Sequence, residues 1–105
     1  AAGGVHASPL WWGDAESLGA LCLKRGPFDV ILCCEIVYQH SQAVSDALRA
    51  TLKGLLAGSG GAAVFAYQQR DGSETTDAVF FERLVSEDGF RLRSEESLAM
   101  WDQCW

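Results

Sequence analysis

The stretch PFDVILCCEIVYQH, residues 27–40, joins an uninterrupted apolar run to an acid and a tyrosine. The run Val30–Cys34 lacks the polar alternation of a strand that has one face in water. Strands that are apolar on both faces are typical of parallel sheets covered by helices. We therefore predict a buried strand over residues 28–34, which displays Glu35 and Tyr38 where it ends.

After this strand, the sequence alternates between helical and extended patterns. Ser41 suits the N-cap of a helix, and apolar side chains then recur at helical spacing to make one stripe. The members of the stripe are Val44, Ala47, Leu48, Thr51, Leu52, Leu55 and Leu56. The glycine-rich residues 57–61 end this helix, and residues 62–67 form a second apolar strand.

A polar loop, QQRDGSETT over residues 68–76, separates the second strand from a second helix. Thr75 or Thr76 can cap this helix, which we predict to run to about Glu87. The side chains available to the core are Val79, Phe80, Phe81, Leu84 and Val85.

The flanking segments complete the predicted order of elements. Residues 7–12, ASPLWW, predict a short strand that ends at a Gly-Asp turn, and residues 14–24 predict one or two helical turns. Residues 90–93 predict a last strand with exposed arginines, after an Asp-Gly pair ends the second helix. Strands that alternate with helices in this way predict an α/β layer structure.

The composition is that of one modest globular domain. The 105 residues are 49% hydrophobic and 21% charged, which is ordinary for a folded protein in water. A net charge of −6 argues against nucleic acid as a partner, because phosphate binding needs a basic surface. The charge fits a cationic partner better, such as a lysine-bearing protein. No apolar stretch approaches the roughly 20 residues of a membrane span, so we expect no membrane partner.

The four cysteines, Cys22, Cys33, Cys34 and Cys104, do not have the spacing of a metal site. No pair has the two-residue gap of a zinc knuckle or a thioredoxin motif, so we expect no metal. Adjacent residues of a strand point to opposite faces, which separates Cys33 from Cys34. We interpret the thiols as small buried apolar side chains in a reducing compartment, the cytoplasm or also the nucleus.

Ligands of open α/β sheets bind at the carboxyl ends of the strands, and functional side chains follow three of the predicted strands. Trp12 ends the first strand, and Glu35 and Tyr38 follow the second. Tyr67 and Arg70 follow the third. Structural interpretations stay open for these residues. Trp12 and Tyr38 can serve core packing, Glu35 can be an acid favoured by a helix start, and Arg70 can belong to a solvated loop.

Four segments stand in an order that matches a known family. They are LWWGD (10–14), PFDVILCCEIVY (27–38), AVFAYQQR (63–70) and FFERLVSEDGFRL (80–92), with a leucine-rich helix between the second and the third. In this order they resemble the family 16 methyltransferases, and the resemblance covers residues 8–93. It implies an S-adenosylmethionine-dependent enzyme of the seven-strand class, many members of which methylate lysines in proteins.

On the cofactor side, the resemblance implies three binding residues. Trp12 resembles the family tryptophan that lies against the adenine of S-adenosylmethionine. Cys34 stands where a small residue lines the cofactor pocket. Glu35 is the acid of the family's acid-x-x-Tyr motif, and it is implied to contact the cofactor as well as to act in catalysis.

On the acceptor side, the resemblance implies that Glu35 and Tyr38 are catalytic and that Tyr38, Tyr67 and Arg70 bind the substrate. An acid at a strand end can hold and orient an incoming lysine ammonium, and an aromatic ring beside it favours a cation. No strong base is needed if the lysine loses its proton to water on entry. Most of the catalytic gain is then positioning.

The chain departs from the family pattern in two respects. The motif acid is often Asp, and Glu35 is one methylene longer, which can move the carboxylate by about the length of a C–C bond. The family's glycine-rich cofactor loop, its first strand and its ribose-binding acid have no counterpart here, and we expect them before Ala1. We therefore expect residues 1–105 to be one partial domain, the carboxyl-terminal portion of a Rossmann-like seven-strand methyltransferase fold, inactive by itself.

Three functions stay open at this point. The first is a fragment of a protein-lysine methyltransferase. The second keeps the enzyme class but has a small molecule or another side chain as the acceptor. The third is a catalytically inactive or truncated product that keeps the half-fold in order to bind a partner.

Overall fold

A computed structural model describes residues 3–58, 60–69 and 74–93. Within them the chain forms three helices and two strands. Their bounds are α1 Ala15–Arg25, β1 Val30–Cys34, α2 Gln42–Leu55, β2 Ala62–Ala66 and α3 Glu74–Ser86. The predicted α/β class is confirmed, and the predicted order of elements is correct from β1 to α3.

β1 and β2 pair in parallel, and α2 connects them. Cys34, the last residue of β1, lies opposite Ala66, the last residue of β2. Because the strands run in the same direction, their carboxyl ends meet at one edge, where Glu35 follows β1 and Tyr67 follows β2. The Glu35 N–H donates to the carbonyl of Ala66 over 2.9 Å, which continues the pairing one residue beyond β1.

α2 begins where the sequence predicts. Ser41 is its N-cap, and the Ser41 hydroxyl accepts the Val44 N–H over 3.3 Å. The apolar stripe of α2 packs together with α3 against one face of the sheet. The buried residues of this core are Cys33, Val37, Leu48, Leu52, Phe80 and Leu84. Val85, which the sequence predicts to be available to the core, is 52% exposed, so that prediction is wrong, and Val44 at the start of the stripe is 38% exposed.

α1 is longer than the one or two turns that the sequence predicts. Asp14 caps it by accepting the Ser17 N–H over 3.2 Å, and the helix has 11 residues. The side chain of Leu18 packs over Gly54 of α2, where a Cβ would lie 2.5 Å from Leu18 Cδ2. The missing side chain at Gly54 thus allows α1 to lie close against α2.

The strand predicted over residues 7–12 is wrong, and so are the predicted caps of α3. Residues 7–12 form no strand, because the chain turns at their end to start α1. The Asp14 N–H donates to the Trp11 carbonyl over 3.0 Å in this turn. α3 already includes Thr75 and Thr76, so neither can be its N-cap.

The strand predicted over residues 90–93 is also wrong. Gly89 has a φ of 80°, which reverses the chain after α3. The Phe90 N–H then donates to the Leu84 carbonyl over 3.0 Å. This amide closes the end of the helix and is not available to a sheet.

The sheet is covered on one face only, whereas the sequence predicts a strand buried on both faces. Val30, Leu32 and Val64 lie on the face opposite the core and are 59%, 79% and 52% exposed. We call these three side chains the open face. Cys33 is buried and Cys34 is exposed, which confirms that the adjacent thiols lie on opposite faces. The expectation that all the thiols are buried is wrong for Cys34.

Candidate functional site

The site starts at Glu35, at the carboxyl end of β1. Glu35 has a left-handed backbone conformation, with φ at 56°, and its side chain is exposed. This conformation is uncommon in residues other than glycine and costs roughly 1 kcal/mol or more. The chain therefore leaves the sheet at a sharp bend, and the acid lies at that bend.

A second left-handed residue, Gln39 with φ at 47°, closes the short segment that begins at Glu35. We call residues 35–39 the acid loop. Val37 anchors the loop in the core at 2% exposure, whereas Tyr38 is 48% exposed. The loop thus buries one apolar side chain and displays the acid and the phenol on either side of it.

Asp77 connects the acid loop to α3 and to the end of β2. This carboxylate is 2% exposed. Its Oδ1 accepts the Gln39 N–H over 3.0 Å, and its Oδ2 accepts the Tyr67 hydroxyl over 2.6 Å. No sequence motif singles out Asp77. The available signal was its spacing, because Asp77 lies three residues before Phe80 on the stripe of α3 that faces the core, where most side chains are apolar.

Tyr67, predicted to face the substrate, lies at the same edge of the sheet. Its hydroxyl bonds to Asp77, and its ring meets the Phe81 ring with centroids 5.2 Å apart. The side chain is partly exposed. The structure therefore gives Tyr67 a bracing position beside the acid loop, while its contact with a substrate stays a prediction.

Trp12, predicted to contact the cofactor, approaches the acid loop through His40. The Trp12 ring is 38% exposed and meets the His40 ring edge-on, with centroids 5.5 Å apart. His40 Nε2 donates to the Ile36 carbonyl over 2.6 Å. His40 thus holds the indole near the loop. It had no role in our predictions, because only the fold brings it against residue 12.

The backbone beside Trp12 is fixed by close packing on α2. Gly13 has a φ of 81°, and a Cβ on it would lie 2.8 Å from the Cβ of Ala47. Only glycine fits this approach without displacing the helix. The turn that carries the indole therefore packs directly against α2.

The remaining predicted residues are Cys34 and Arg70. Cys34 is exposed at the end of β1, next to Glu35. Arg70 lies outside the described residues. Burial raises the pKa of the neighbouring Cys33 thiol, which favours its neutral form in the core. The structure thus gathers Trp12, Cys34, Glu35, Tyr38 and Tyr67 around the carboxyl ends of the two strands.

A cleft of about 330 Å³ lies next to this edge, between the start of α2 and α3. His40 and Ser41 line it before α2, and Thr75 lines it from α3. The guanidinium-bearing side chains of Arg49 and Arg83 also line it. The cleft shares His40 with the surroundings of Trp12, so the two regions adjoin.

The charge of Arg49 is balanced within the fold. Arg49 is 8% exposed, and it donates to Asp88 over 2.6 Å and to Asp46 over 2.7 Å. Its hydrogen bond lowers the pKa of Asp46, and the same bond raises the pKa of Arg49. Arg49 Nε has no partner among the residues that the structure describes. The guanidinium thus joins α2 to the turn after α3 and is not an uncompensated cation in the cleft.

The described part of the chain contains neither a metal site nor a membrane-spanning helix. No group of three or more His, Cys, Asp and Glu side chains in residues 3–58, 60–69 and 74–93 is arranged to hold a metal ion. None of the described helices is long and apolar enough to cross a membrane.

Comparison with known proteins gives one match. A family model for lysine methyltransferases, that of methyltransferase family 16, matches residues 1–87. The matched range contains all five helices and strands and the residues gathered at the strand ends. No curated protein and no solved structure matches the chain. The match confirms the resemblance that the sequence motifs suggest.

Proposed function

The chain belongs to the lysine methyltransferase family, and from this membership we propose that it takes part in methyl transfer from S-adenosylmethionine to a lysine of a protein substrate. The observation that carries the proposal is the acid loop. It displays an acid at the bend after β1 and a half-exposed tyrosine three residues later. Both groups lie at the edge of the sheet where α/β enzymes bind their ligands.

The exposed groups at this edge fit the cofactor. Part of the Trp12 indole is accessible, and an accessible indole suits a planar adenine. Cys34 is small and exposed, which leaves room beside it, and the Glu35 carboxylate can accept hydrogen bonds. When bound, S-adenosylmethionine supplies an electrophilic methyl group on its sulfonium.

On the acceptor side, Glu35 and Tyr38 select and orient the amine. The Glu35 carboxylate attracts the lysine ammonium and fixes its direction of approach, and the Tyr38 ring favours the same cation. The ammonium gives its proton to water as it enters, so the nitrogen lone pair becomes available. We propose that Tyr67 and Arg70 contact the chain of the substrate around this lysine.

The uncovered sheet supports a further part of the proposal. In our proposal, β1, α2 and β2 form one portion of a Rossmann-like seven-strand domain, whose remaining strands and helices cover the open face. Three exposed aliphatic side chains on a single sheet face support this view. The free thiols at Cys22, Cys33 and Cys34 support a reducing location such as the cytoplasm or nucleus.

The position of Glu35 counts against its structural interpretation. An acid favoured by the dipole of α2 would lie in the first turn of that helix, but α2 begins at Gln42 and the acid loop intervenes. A direct test compares Glu35→Gln with Glu16→Gln, which changes an exposed acid in the first turn of α1. In the full-length protein, tritium transfer from labelled S-adenosylmethionine to lysate proteins should be lost in the first variant and kept in the second. If Glu35→Gln keeps its transfer rate and only melts earlier, the acid is structural.

A further inference from the structure

We propose that Asp77 positions the acid loop for methyl transfer by holding the Gln39 amide and by being held itself by the Tyr67 hydroxyl. This inference rests on the function proposed above. It gives Asp77 of α3 a role in the site, although Asp77 lies in none of the four sequence segments that resemble the family.

The burial of Asp77 means that its carboxylate needs hydrogen-bond partners within the fold. Asp77 lies on the same stripe of α3 as the buried residues Phe80 and Leu84. An apolar side chain could occupy this place without a desolvation cost, whereas a buried carboxylate needs hydrogen bonds to offset that cost. The two oxygens of Asp77 receive such bonds from two other parts of the chain.

The first bond controls the end of the acid loop. Asp77 Oδ1 accepts the N–H of Gln39, a left-handed residue that directly follows Tyr38. At the other end of the loop, the N–H of the left-handed Glu35 is bonded to the carbonyl of Ala66. Each strained residue of the loop is thus held by an acceptor outside the loop. The backbone of Tyr38 is fixed relative to the sheet as a result.

The second bond orients the carboxylate. The Tyr67 hydroxyl donates to Asp77 Oδ2 over 2.6 Å, and the Tyr67 ring is braced edge-on by Phe81. Because the Tyr67 hydroxyl is bonded to Oδ2, the carboxylate is turned so that Oδ1 faces the Gln39 N–H. Tyr67 therefore orients Asp77, and Asp77 holds the acid loop. Both are positioning residues in this proposal. Misplacement of the acceptor site by about 1 Å can slow transfer on the order of 10²-fold.

The test measures the loop and the reaction in the same variants of the full-length protein. Asp77→Ala removes both bonds. Amide hydrogen exchange at Gln39 should accelerate by about tenfold, as expected for one lost hydrogen bond. The kcat for methyl transfer should fall by a similar factor, while KM for S-adenosylmethionine changes little. Asp77→Asn keeps an oxygen acceptor for the Gln39 N–H. In this variant the Gln39 exchange rate and kcat should both stay close to those of the unaltered protein.

Two further variants separate positioning from stability. Leu84→Ala cuts a buried side chain of the same helix and should lower the melting temperature without changing Gln39 exchange or kcat per folded molecule. If Asp77→Ala behaves like Leu84→Ala, the proposal is overturned. Should Asp77→Ala fail to fold, Tyr67→Phe decides the matter. It should accelerate Gln39 exchange several-fold, and unchanged exchange would overturn the proposal.

The outcome also distinguishes this proposal from the proposed function. Absence of methyl transfer to protein lysine by the unaltered protein would reject the function. Gln39 exchange would still report whether Asp77 holds the loop. Normal transfer by the unaltered protein together with an unchanged kcat in Asp77→Ala would reject the positioning role alone.

Discussion

The Gly13 amide donates a hydrogen bond to the Thr51 hydroxyl over 2.9 Å, although 38 residues separate them in sequence. Thr51 is buried at 2% exposure, and its hydroxyl in turn donates to the carbonyl of Ala47 one turn earlier in α2. The turn that carries Trp12 is thereby bonded to the middle of α2. A cofactor that contacts the indole would meet a side chain whose backbone is already held in place.

In the full-length protein, Trp12→Ala should weaken the binding of S-adenosylmethionine by about fivefold, because stacking of an aromatic ring contributes about 1 kcal/mol. The neighbouring Trp11 is 72% exposed and provides a matched control. Calorimetric titration should show near-normal affinity for Trp11→Ala. Equal affinities in the two variants would mean that Trp12 serves packing against His40 and not the cofactor.

Tyr38→Phe should reduce methyl transfer less than Glu35→Gln does. Removal of the Glu35 charge takes away the group that orients the ammonium, and we expect a loss on the order of 10²-fold in kcat. Phenylalanine at position 38 keeps an aromatic face, so the loss there should be about tenfold or less. Steady-state rates of both variants at saturating cofactor show which variant loses more activity. A larger loss in Tyr38→Phe would assign the main role to the phenol hydroxyl.

Asp46→Asn should change how stability depends on pH. The hydrogen bond from Arg49 lowers the pKa of Asp46 from its ordinary value of 3.8, so the ionised form is favoured in the folded state. Such a group stabilises the fold above its unfolded pKa, and the stabilisation is lost as pH falls through the folded pKa. Wild type should therefore exceed Asp46→Asn in denaturant midpoint at pH 7, and the difference should start to shrink below about pH 4 and close as pH falls through the lowered pKa of the folded state. A constant difference between pH 7 and pH 3 would contradict the assignment.

Leu32→Thr and Leu48→Ala should differ widely in their effect on the free energy of unfolding. Leu32 is 79% exposed on the open face, and its change should cost about 0.5 kcal/mol or less in the 105-residue chain. Leu48 is 1% exposed, and truncation there should cost about 2–5 kcal/mol. Urea denaturation of both variants measures the difference. Equal costs would show that another surface covers Leu32 in solution.

Local patterns were sufficient to predict the central part of the fold. The apolar run of β1, the Ser41 cap and the stripe of α2 each depend on residues a few positions apart. For that reason the β1–α2–β2 unit, and with it the location of Glu35 at a strand end, could be predicted from sequence. The acid-x-x-Tyr spacing of Glu35 and Tyr38 is local in the same way, and their roles in the site stay a prediction.

Features that depend on distant partners could not be predicted. Residues 7–12 have the composition of a strand, but pairing requires a neighbour that the described fold does not offer them. The left-handed conformation of Glu35 follows from the way the chain leaves the sheet, and glutamate has no preference for it. The contacts of Asp77 with Gln39 and Tyr67 join three elements that only the folded chain brings together.

The left-handed bend at Glu35 also affects which acid suits this position. Aspartate enters left-handed conformations several-fold more readily than most other residues, because its short polar side chain can bond to the local backbone. Glutamate at this position extends the carboxylate by one methylene relative to aspartate, and its backbone is more strained in the left-handed conformation. Exchange between the two acids therefore alters fold stability and the reach of the carboxylate in opposite directions. An otherwise conservative substitution becomes a trade-off between them.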